Sequence, residues 1–193
     1  RNRIGQINSN GTLDNSFDPG LGGDNSINSL IFTDEGKLLA GGDFTSYDGI
    51  SRNFLTGINE SGGIDNSFNP PQGFNSRVDK VVVQSDGKIL VAGSLITSYN
   101  GTPINRFVRL NSDGSLDQSF NIGTGPNATV NDILPLSNGK IILGGGFTNF
   151  NGVTVPYIVR LNNDGTIDNS FNVGSGPDGG ISEIKEFSDG SLY

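Results

Sequence analysis

Apolar residues in this chain come in short runs, and each run ends at a cluster of Gly, Asn, Asp, Ser or Pro. Arg106 to Leu110, Ser115 to Phe120, Val130 to Leu136 and Lys140 to Thr148 are four such runs in succession. Each is rich in β-branched and aromatic residues and bounded by turn formers, so each predicts a short strand. No stretch of useful length repeats its apolar positions at the helical period. The turns carry their own signal. Ser112-Asp113-Gly114 and Ser137-Asn138-Gly139 place Asp-Gly or Asn-Gly between strands, where a positive φ is needed and glycine supplies it without a Cβ clash.

The same text is written four times. Asn8 to Phe17 (NSNGTLDNSF), Asn59 to Phe68 (NESGGIDNSF), Asn111 to Phe120 (NSDGSLDQSF) and Asn162 to Phe171 (NNDGTIDNSF) put aspartates at Asp14, Asp65, Asp117 and Asp168, 51, 52 and 51 residues apart. A second anchor follows in register: Gly36 to Gly42, Gly87 to Gly93 and Gly139 to Gly145, with a fourth copy beginning at Gly190. The third anchor is Phe44-Thr45-Ser46-Tyr47-Asp48-Gly49, repeated at Ile96 to Gly101 and Phe147 to Gly152. One extra residue near Leu95 accounts for the longer spacing.

Four strands in about 51 residues is the size of a β-propeller blade, which runs to roughly 40–50 residues. A single sheet of that size cannot bury both faces and must pack against neighbours. The expected fold is therefore all-β, a β-propeller of four-stranded antiparallel blades with blade repeats at 1–54, 55–106, 107–157 and 158–193, the last truncated. Fewer than four complete blades predict a partial propeller and an open arc, since closed rings use about four to eight. The chain opens at Arg1 and stops at Tyr193, where the repeat begins a strand. An excerpt of a larger polypeptide is expected.

The combination RLNxDGxxDxSFN, then GKIxxGGxF and a distal Asn-Gly, resembles the delta-60 repeat, a β-propeller repeat of large bacterial surface and secreted proteins and of phage structural proteins. The resemblance covers the whole chain, with departures at Gly57, where later copies have Arg109 and Arg160, and at Ala92-Gly93 in place of Gly-Gly. It implies an extracellular, cell-surface or virion setting and a structural or adhesive role. Other protein subunits, cell-surface glycans and further blades or domains of the parent chain are the partners it implies.

Composition narrows the chemistry. The 193 residues include 30 Gly and no Cys, Met, Trp or His, which leaves no thiol nucleophile, imidazole base, disulfide or Cys/His metal cage within them. The net charge of −8, with no basic stripe, repels a phosphate backbone, so nucleic acid is not an expected partner. Apolar runs such as Ile141 to Leu143 are far shorter than the roughly 20 residues a bilayer span needs.

Asn-x-Asp-Gly-x-x-Asp resembles half of a calcium loop, but the slot for the first ligand holds Gln6, Gly57, Arg109 or Arg160, and an arginine there opposes a dication. The motif is read instead as a turn. Asp14, Asp65, Asp117 and Asp168 are expected to accept backbone hydrogen bonds, and Phe17, Phe68, Phe120 and Phe171 to wedge between blades. Arg109 and Arg160 are expected to form structural ion pairs. Gly41-Gly42 and Gly144-Gly145 precede no helix and fit close backbone approach or a bulge rather than a phosphate loop. Asp24, Asp43, Asp79, Asp132, Asp178, Glu183 and Glu186 could in principle pair for glycoside hydrolysis, yet no repeat-breaking cluster selects two of them. No enzyme and no cofactor are expected.

Counting strands places the tight turns on one face and the long loops on the other. The long loops are 18–26, 69–77, 121–129 and 172–180, with 46–53, 98–105 and 149–156 beside them, and function on rigid scaffolds concentrates on such loops. Tyr47, Tyr99, Phe150 and Tyr157 are the candidate ligand contacts there, either stacking on sugar rings or sealing the blade ends. The expected function is a scaffold or adhesion module acting through this face; the alternative is a carbohydrate-binding domain.

Overall fold

The computed structural model describes residues 2–193. Fifteen strands form three successive three-stranded antiparallel sheets and three two-stranded ribbons, with no helix among the described residues. The first sheet pairs β1 (Ile27–Phe32), β2 (Leu38–Gly42) and β5 (Leu55–Ile58), and carries the ribbon β3 (Ser46–Tyr47) with β4 (Ile50–Ser51). The second pairs β6 (Lys80–Val83), β7 (Ile89–Ala92) and β10 (Phe107–Leu110), with the ribbon β8 (Ser98–Tyr99) and β9 (Thr102–Pro103). The third pairs β11 (Val130–Pro135), β12 (Ile141–Gly145) and β15 (Ile158–Leu161), with β13 (Asn149–Phe150) and β14 (Val153–Thr154).

The sheets are offset from the sequence repeats. β10 pairs with β7, not with the strands that follow it, and β15 likewise returns to β12. Each sheet therefore crosses a repeat boundary at 54/55, 106/107 or 157/158. The expected strand Ser115 to Phe120 is not a strand. Its contact with the sheet is one bridge, Leu110↔Leu116, matched by Ile58↔Ile64 and Leu161↔Ile167. The reason is local: Asp117 turns its carboxylate back onto the N–H and hydroxyl of Ser119, at 3.0 and 2.7 Å. Such a side-chain-to-backbone bond competes with ladder pairing. The blade's fourth strand is thus reduced to a turn against the third.

Each ribbon has a two-residue loop in which both residues have positive φ: Asp48-Gly49 (48° and 73°), Asn100-Gly101 (48° and 80°) and Asn151-Gly152 (50° and 80°). Asp and Asn tolerate that region better than other non-glycine residues, and the resulting turn matches strand twist. Phe54, Arg106 and Tyr157, just before the third strand, also have positive φ, at 67°, 57° and 65°. Their backbone groups are held on both sides; Phe54 donates to the Phe44 carbonyl and accepts from Gly42 N–H. Surrounding bonds over-determine the strained conformation.

The first strands of adjacent sheets, β1, β6 and β11, lie next to one another. Ser29 Oγ accepts from Val81 N–H at 3.0 Å, and Asp132 accepts from Ile184 N–H at 2.8 Å. Apolar layers fill the space between sheets. Leu39 and Leu55 meet Val78, Val81, Ile89 and Val91 in one layer, and Leu90, Ala92 and Phe107 meet Val130, Ile133, Ile141 and Leu143 in the next.

The Gly-Gly pairs serve that packing twice over. A Cβ on Gly41 would stand 2.5 Å from Val78 Cγ1, and one on Gly144 would stand 2.7 Å from Ile181 and Ile184. The second glycines face backbone: a Cβ on Gly42 would lie 2.1 Å from the Ser26 carbonyl oxygen, and one on Gly145 would lie 2.0 Å from that of Thr129. Opposite both pairs the first strand bulges, between Ile27 and Ser29 and between Val130 and Asp132. Close approach and bulge, alternatives in sequence, occur together.

Unequal costs follow for alanine. Gly41→Ala meets the side-chain methyls of Val78 and Val81 and should cost about 1–3 kcal/mol; the natural Ala92 at the equivalent place shows that a methyl can be packed there once its neighbours are built for it. Gly42→Ala meets the Ser26 carbonyl, which is held by the Asp43 N–H, and should cost more. Urea unfolding of the two variants should rank them in that order.

Candidate functional site

The long loops come together in pairs, as the strand count requires. In each repeat an acidic or amide residue of the first loop caps the ribbon. Asp24 Oδ1 accepts from the N–H groups of Thr45 and Ser46, at 2.8 and 3.1 Å. Asn75 does the same for Thr97 and Ser98, both at 3.0 Å, and Asn127 for Thr148 and Asn149, at 2.9 and 3.0 Å. The ribbon turn grips back: Asp48 accepts from Leu21 N–H, Asn100 from Gln72 and Gly73, and Asn151 from Thr124. These Asn and Asp residues look like ligand groups in the sequence, but their oxygens are spent on holding two loops in one body.

Three of the four candidate contacts are placed where no ligand can stack on them. Tyr47, Tyr99 and Phe150 are fully buried. The hydroxyl of Tyr47 donates to the Gly62 carbonyl at 2.9 Å and that of Tyr99 to the Gly114 carbonyl, so the rings seal the blade ends. Burial pushes the Tyr47 hydroxyl up to about 12, with the Asp48 charge adding to it. Tyr157 is half-buried and sits at a strained backbone position. What the loops do expose is aliphatic: Leu21, Ile50 and Val153. Ile50 and Val153 directly follow Asp48-Gly49 and Asn151-Gly152, and a large apolar residue just past a positive-φ turn was the available signal. Leu95, beside the extra residue of the long period, is also exposed.

The repeated Asp positions form a second cluster. Arg109 Nε lies 2.7 Å from Asp117 Oδ2, Lys88 Nζ lies 3.1 Å from the same oxygen, and Arg109 also donates to Asn163 Oδ1 at 2.7 Å. The guanidinium lies over the Phe120 ring, 4.3 Å from its centre. The next copy repeats this with Arg160, Lys140, Asp168 and Phe171: the pairs are 2.6 and 2.7 Å apart and the cation lies 4.6 Å over the ring. Burial pushes the Asp117 carboxyl up, but hydrogen bonds from Ser119 and Arg109 outweigh it and hold the group well below the usual range. Asp168 is likewise held low, by Lys140 first and then Ser170. Cations and N–H donors already fill these carboxylates, a poor fit to a calcium ligand set. No group of three or more acidic residues is gathered for a metal ion among the described residues.

The first copies differ because the arginine is missing. Gly57 stands in its place, and a Cβ there would lie 2.9 Å from Phe68 Cβ. With no guanidinium to sit upon, Phe68 and Phe17 drop into the interblade core, while Phe120 and Phe171 stay half-buried beneath their arginines. The wedge reading therefore holds fully for Phe17 and Phe68, and in part for the later pair.

Several of the acids considered for hydrolysis are separately engaged. Asp79 pairs with Arg77 at 2.9 Å, Asp132 is buried against Lys80 at 2.7 Å, and Glu183 pairs with Lys185 at 2.8 Å. A groove of about 470 Å³ opens along Phe107, Val108 and the segment Leu116 to Thr124, beside the edge that the missing fourth strand leaves free. No helix is long and apolar enough to cross a membrane among the described residues.

Packed antiparallel sheets that recur with the period of a tandem repeat define a β-propeller segment. Residues 35–68, 84–120 and 136–171, together more than half of the chain, match the family described as Domain of unknown function (DUF5122) beta-propeller. The chain belongs to that family. No curated protein matches it. Among solved structures, a protein of unknown function from Bacteroides caccae is similar at 18% identity with a TM-score of 0.38, covering 72% of this chain and 46% of its own. The chain thus spans less than half the length of that protein.

Two outcomes test the site. Asp117→Ala strands a buried arginine and should cost about 3–5 kcal/mol. Asp65→Ala, whose nearest cation is Lys37 at 3.5 Å, should cost roughly 1 kcal/mol; denaturant melts compare them. Acid should loosen the first loop pair. Burial raises the Asp24 carboxyl, but the N–H of Ser46 and the hydroxyl and N–H of Thr45 bring it from 3.8 to about 2. A depressed carboxyl stabilises above its unfolded value, so this contribution is complete above about pH 4 and is lost as the pH falls toward 2. Asp24→Asn should keep the cap, as Asn75 and Asn127 do, and remove that part of the dependence in melting curves between pH 5 and 2.

Proposed function

We propose that the chain is a non-catalytic propeller scaffold or adhesion segment that contacts other proteins through its long-loop face. The observation that supports this most directly is the reciprocal clamping of the loop pairs. A surface whose backbone is already fixed loses little conformational entropy on binding. Exposed Leu21, Ile50 and Val153 supply apolar contact points on it, as the core of a protein interface requires. The resemblance to delta-60 repeats favours a bacterial surface or virion setting for that contact. Carbohydrate recognition is the alternative, and burial of Tyr47, Tyr99 and Phe150 takes away the rings that would stack on sugars.

Capture of bacterial envelope proteins, run beside a glycan array, tests the reading. Protein capture should be abolished by Leu21→Asp, Ile50→Asp and Val153→Asp combined, with an unchanged melting temperature. Saturable glycan binding that survives the triple substitution would overturn it in favour of the carbohydrate reading.

A further inference from the structure

Gln84 breaks the repeat at a buried place. It directly follows β6 and opens the tight turn to β7, where the neighbouring copies have Thr33 and Leu136. Thr33 Oγ1 is satisfied locally, accepting from Lys37 N–H at 3.2 Å, and the Leu136 side chain has no polar atom to satisfy. Gln84 is 5% exposed, and its Oε1 is buried with no hydrogen-bond partner. A buried acceptor left unpaired destabilises the fold, so a polar side chain kept here points to a donor from outside the chain.

The side chain lines a cleft of about 260 Å³ on the tight-turn face, between the hairpin of the second sheet and that of the third. One wall is Gln84 to Asp86 and the other is Pro135 to Ser137, with Asn163 beside them. A water molecule takes up about 30 Å³, so the cleft has room for a larger group. Its chemistry is one-sided. Asp86 is the only charged residue lining it; Oδ1 accepts from Lys88 N–H at 3.1 Å, and the carboxylate forms no ion pair among the described residues. In the first copy the equivalent Glu35 pairs with Lys37 at 3.1 Å. In the second, Lys88 is drawn instead to Asp117 Oδ2 at 3.1 Å and Asn111 Oδ1 at 2.8 Å. Arg109, held by Asp117 and Asn163, is likewise committed.

We propose that this cleft receives a primary alkylammonium group, the end of a lysine side chain from another protein or of a free polyamine. An ammonium carries three donors and no acceptor, which suits a lining of oxygens. Asp86 supplies the counter-charge, Gln84 Oε1 accepts one N–H and a hydroxyl of Ser85 or Ser137 another, while the methylene stem lies along Pro135 and Leu136. A guanidinium fits less well. Its planar fork is matched by a carboxylate with both oxygens open, and Asp86 has one oxygen bonded within its own turn. The net charge of −8 draws cations toward the molecule as a whole. The cleft lies on the face opposite Leu21, Ile50 and Val153 and is a contact separate from theirs.

NMR titration of the isotope-labelled protein with two probes, cadaverine and N-acetyl-lysine methylamide, tests the proposal. Either probe should shift the Gln84 side-chain amide and the Gly87 and Gly139 N–H signals, and the shifts should saturate. Tighter binding of cadaverine assigns the cleft to polyamines, and tighter binding of the lysine derivative assigns it to a protein side chain. The same derivative acetylated on its ammonium, and so without charge, should not bind. The repeat itself supplies substitutions that the turn accommodates: Gln84→Leu copies Leu136, and Asp86→Asn copies Asn138, whose Oδ1 accepts from Lys140 N–H at 3.1 Å. Each should weaken binding about tenfold or more, and Gln84→Leu should melt no lower than wild type, since it removes an unpaired buried oxygen. Absence of saturable shifts at these signals, equal binding of the acetylated derivative, or undiminished binding by either variant would overturn the proposal. The Leu21→Asp, Ile50→Asp, Val153→Asp protein should bind the probes as wild type does, which separates this cleft from the loop-face contact.

Discussion

A three-stranded sheet in this chain has two apolar faces and too few residues to cover either, so the next sheet must come close enough to do so. Gly41 and Gly144 set how close. Where a methyl is accommodated, at Ala92, the facing layer is built from Val130 and Ile133; where it is not, Val78 or Ile181 occupies the place a Cβ would take. Interior packing at organic-crystal density leaves no slack for both. The bulge in the first strand, the second glycine and the polar links along β1, β6 and β11 all follow from the same approach of backbones.

The repeat motif and the loop residues hold this arrangement from opposite ends. On the turn side, Asp65, Asp117 and Asp168 each gather a lysine from the sheet's own hairpin, and the later two also an arginine from its third strand. On the loop side, neutral or anionic oxygens of the first loop bind ribbon N–H groups. Both devices satisfy backbone or charged groups that would otherwise be costly to bury. Their net stabilisation is modest, but they restrict the loops to one arrangement. The polar richness of the chain is largely internal wiring.

Much of this is legible in the amino-acid sequence alone. The period, the all-β class, the turn residues and the opposed faces rest on local patterns that recur along the chain, and repetition averages out local ambiguity; the Arg–Asp pairs are read from the two copies that carry Arg109 and Arg160. Strand pairing was less legible, because Phe107–Leu110 reads equally well as the first strand of one repeat or the third of the one before. Only the ladder with β7 decides it. Ser115 to Phe120 has the residues of a strand, and its loss to an Asx turn depends on the Asp117 carboxylate bonding Ser119 in place of ladder pairing. Tyr47, Tyr99 and Phe150 illustrate a further limit: an aromatic beside Asn-Gly looks exposed until the depth of the ribbon is known.

The swap of Gly57 for Arg109 shows how one position redistributes the work of its neighbours. With glycine, the ring enters the core and stabilises by burial, leaving the aspartate to a single lysine. With arginine, the ring becomes a platform for a cation, and the aspartate is desolvated together with its partners. A desolvated ion pair contributes little net stability compared with apolar packing but punishes misplacement heavily. Copies with Gly57 or Gln6 are thus held by packing and those with Arg109 or Arg160 by registration, so the two kinds of repeat divide cohesion from alignment along one chain.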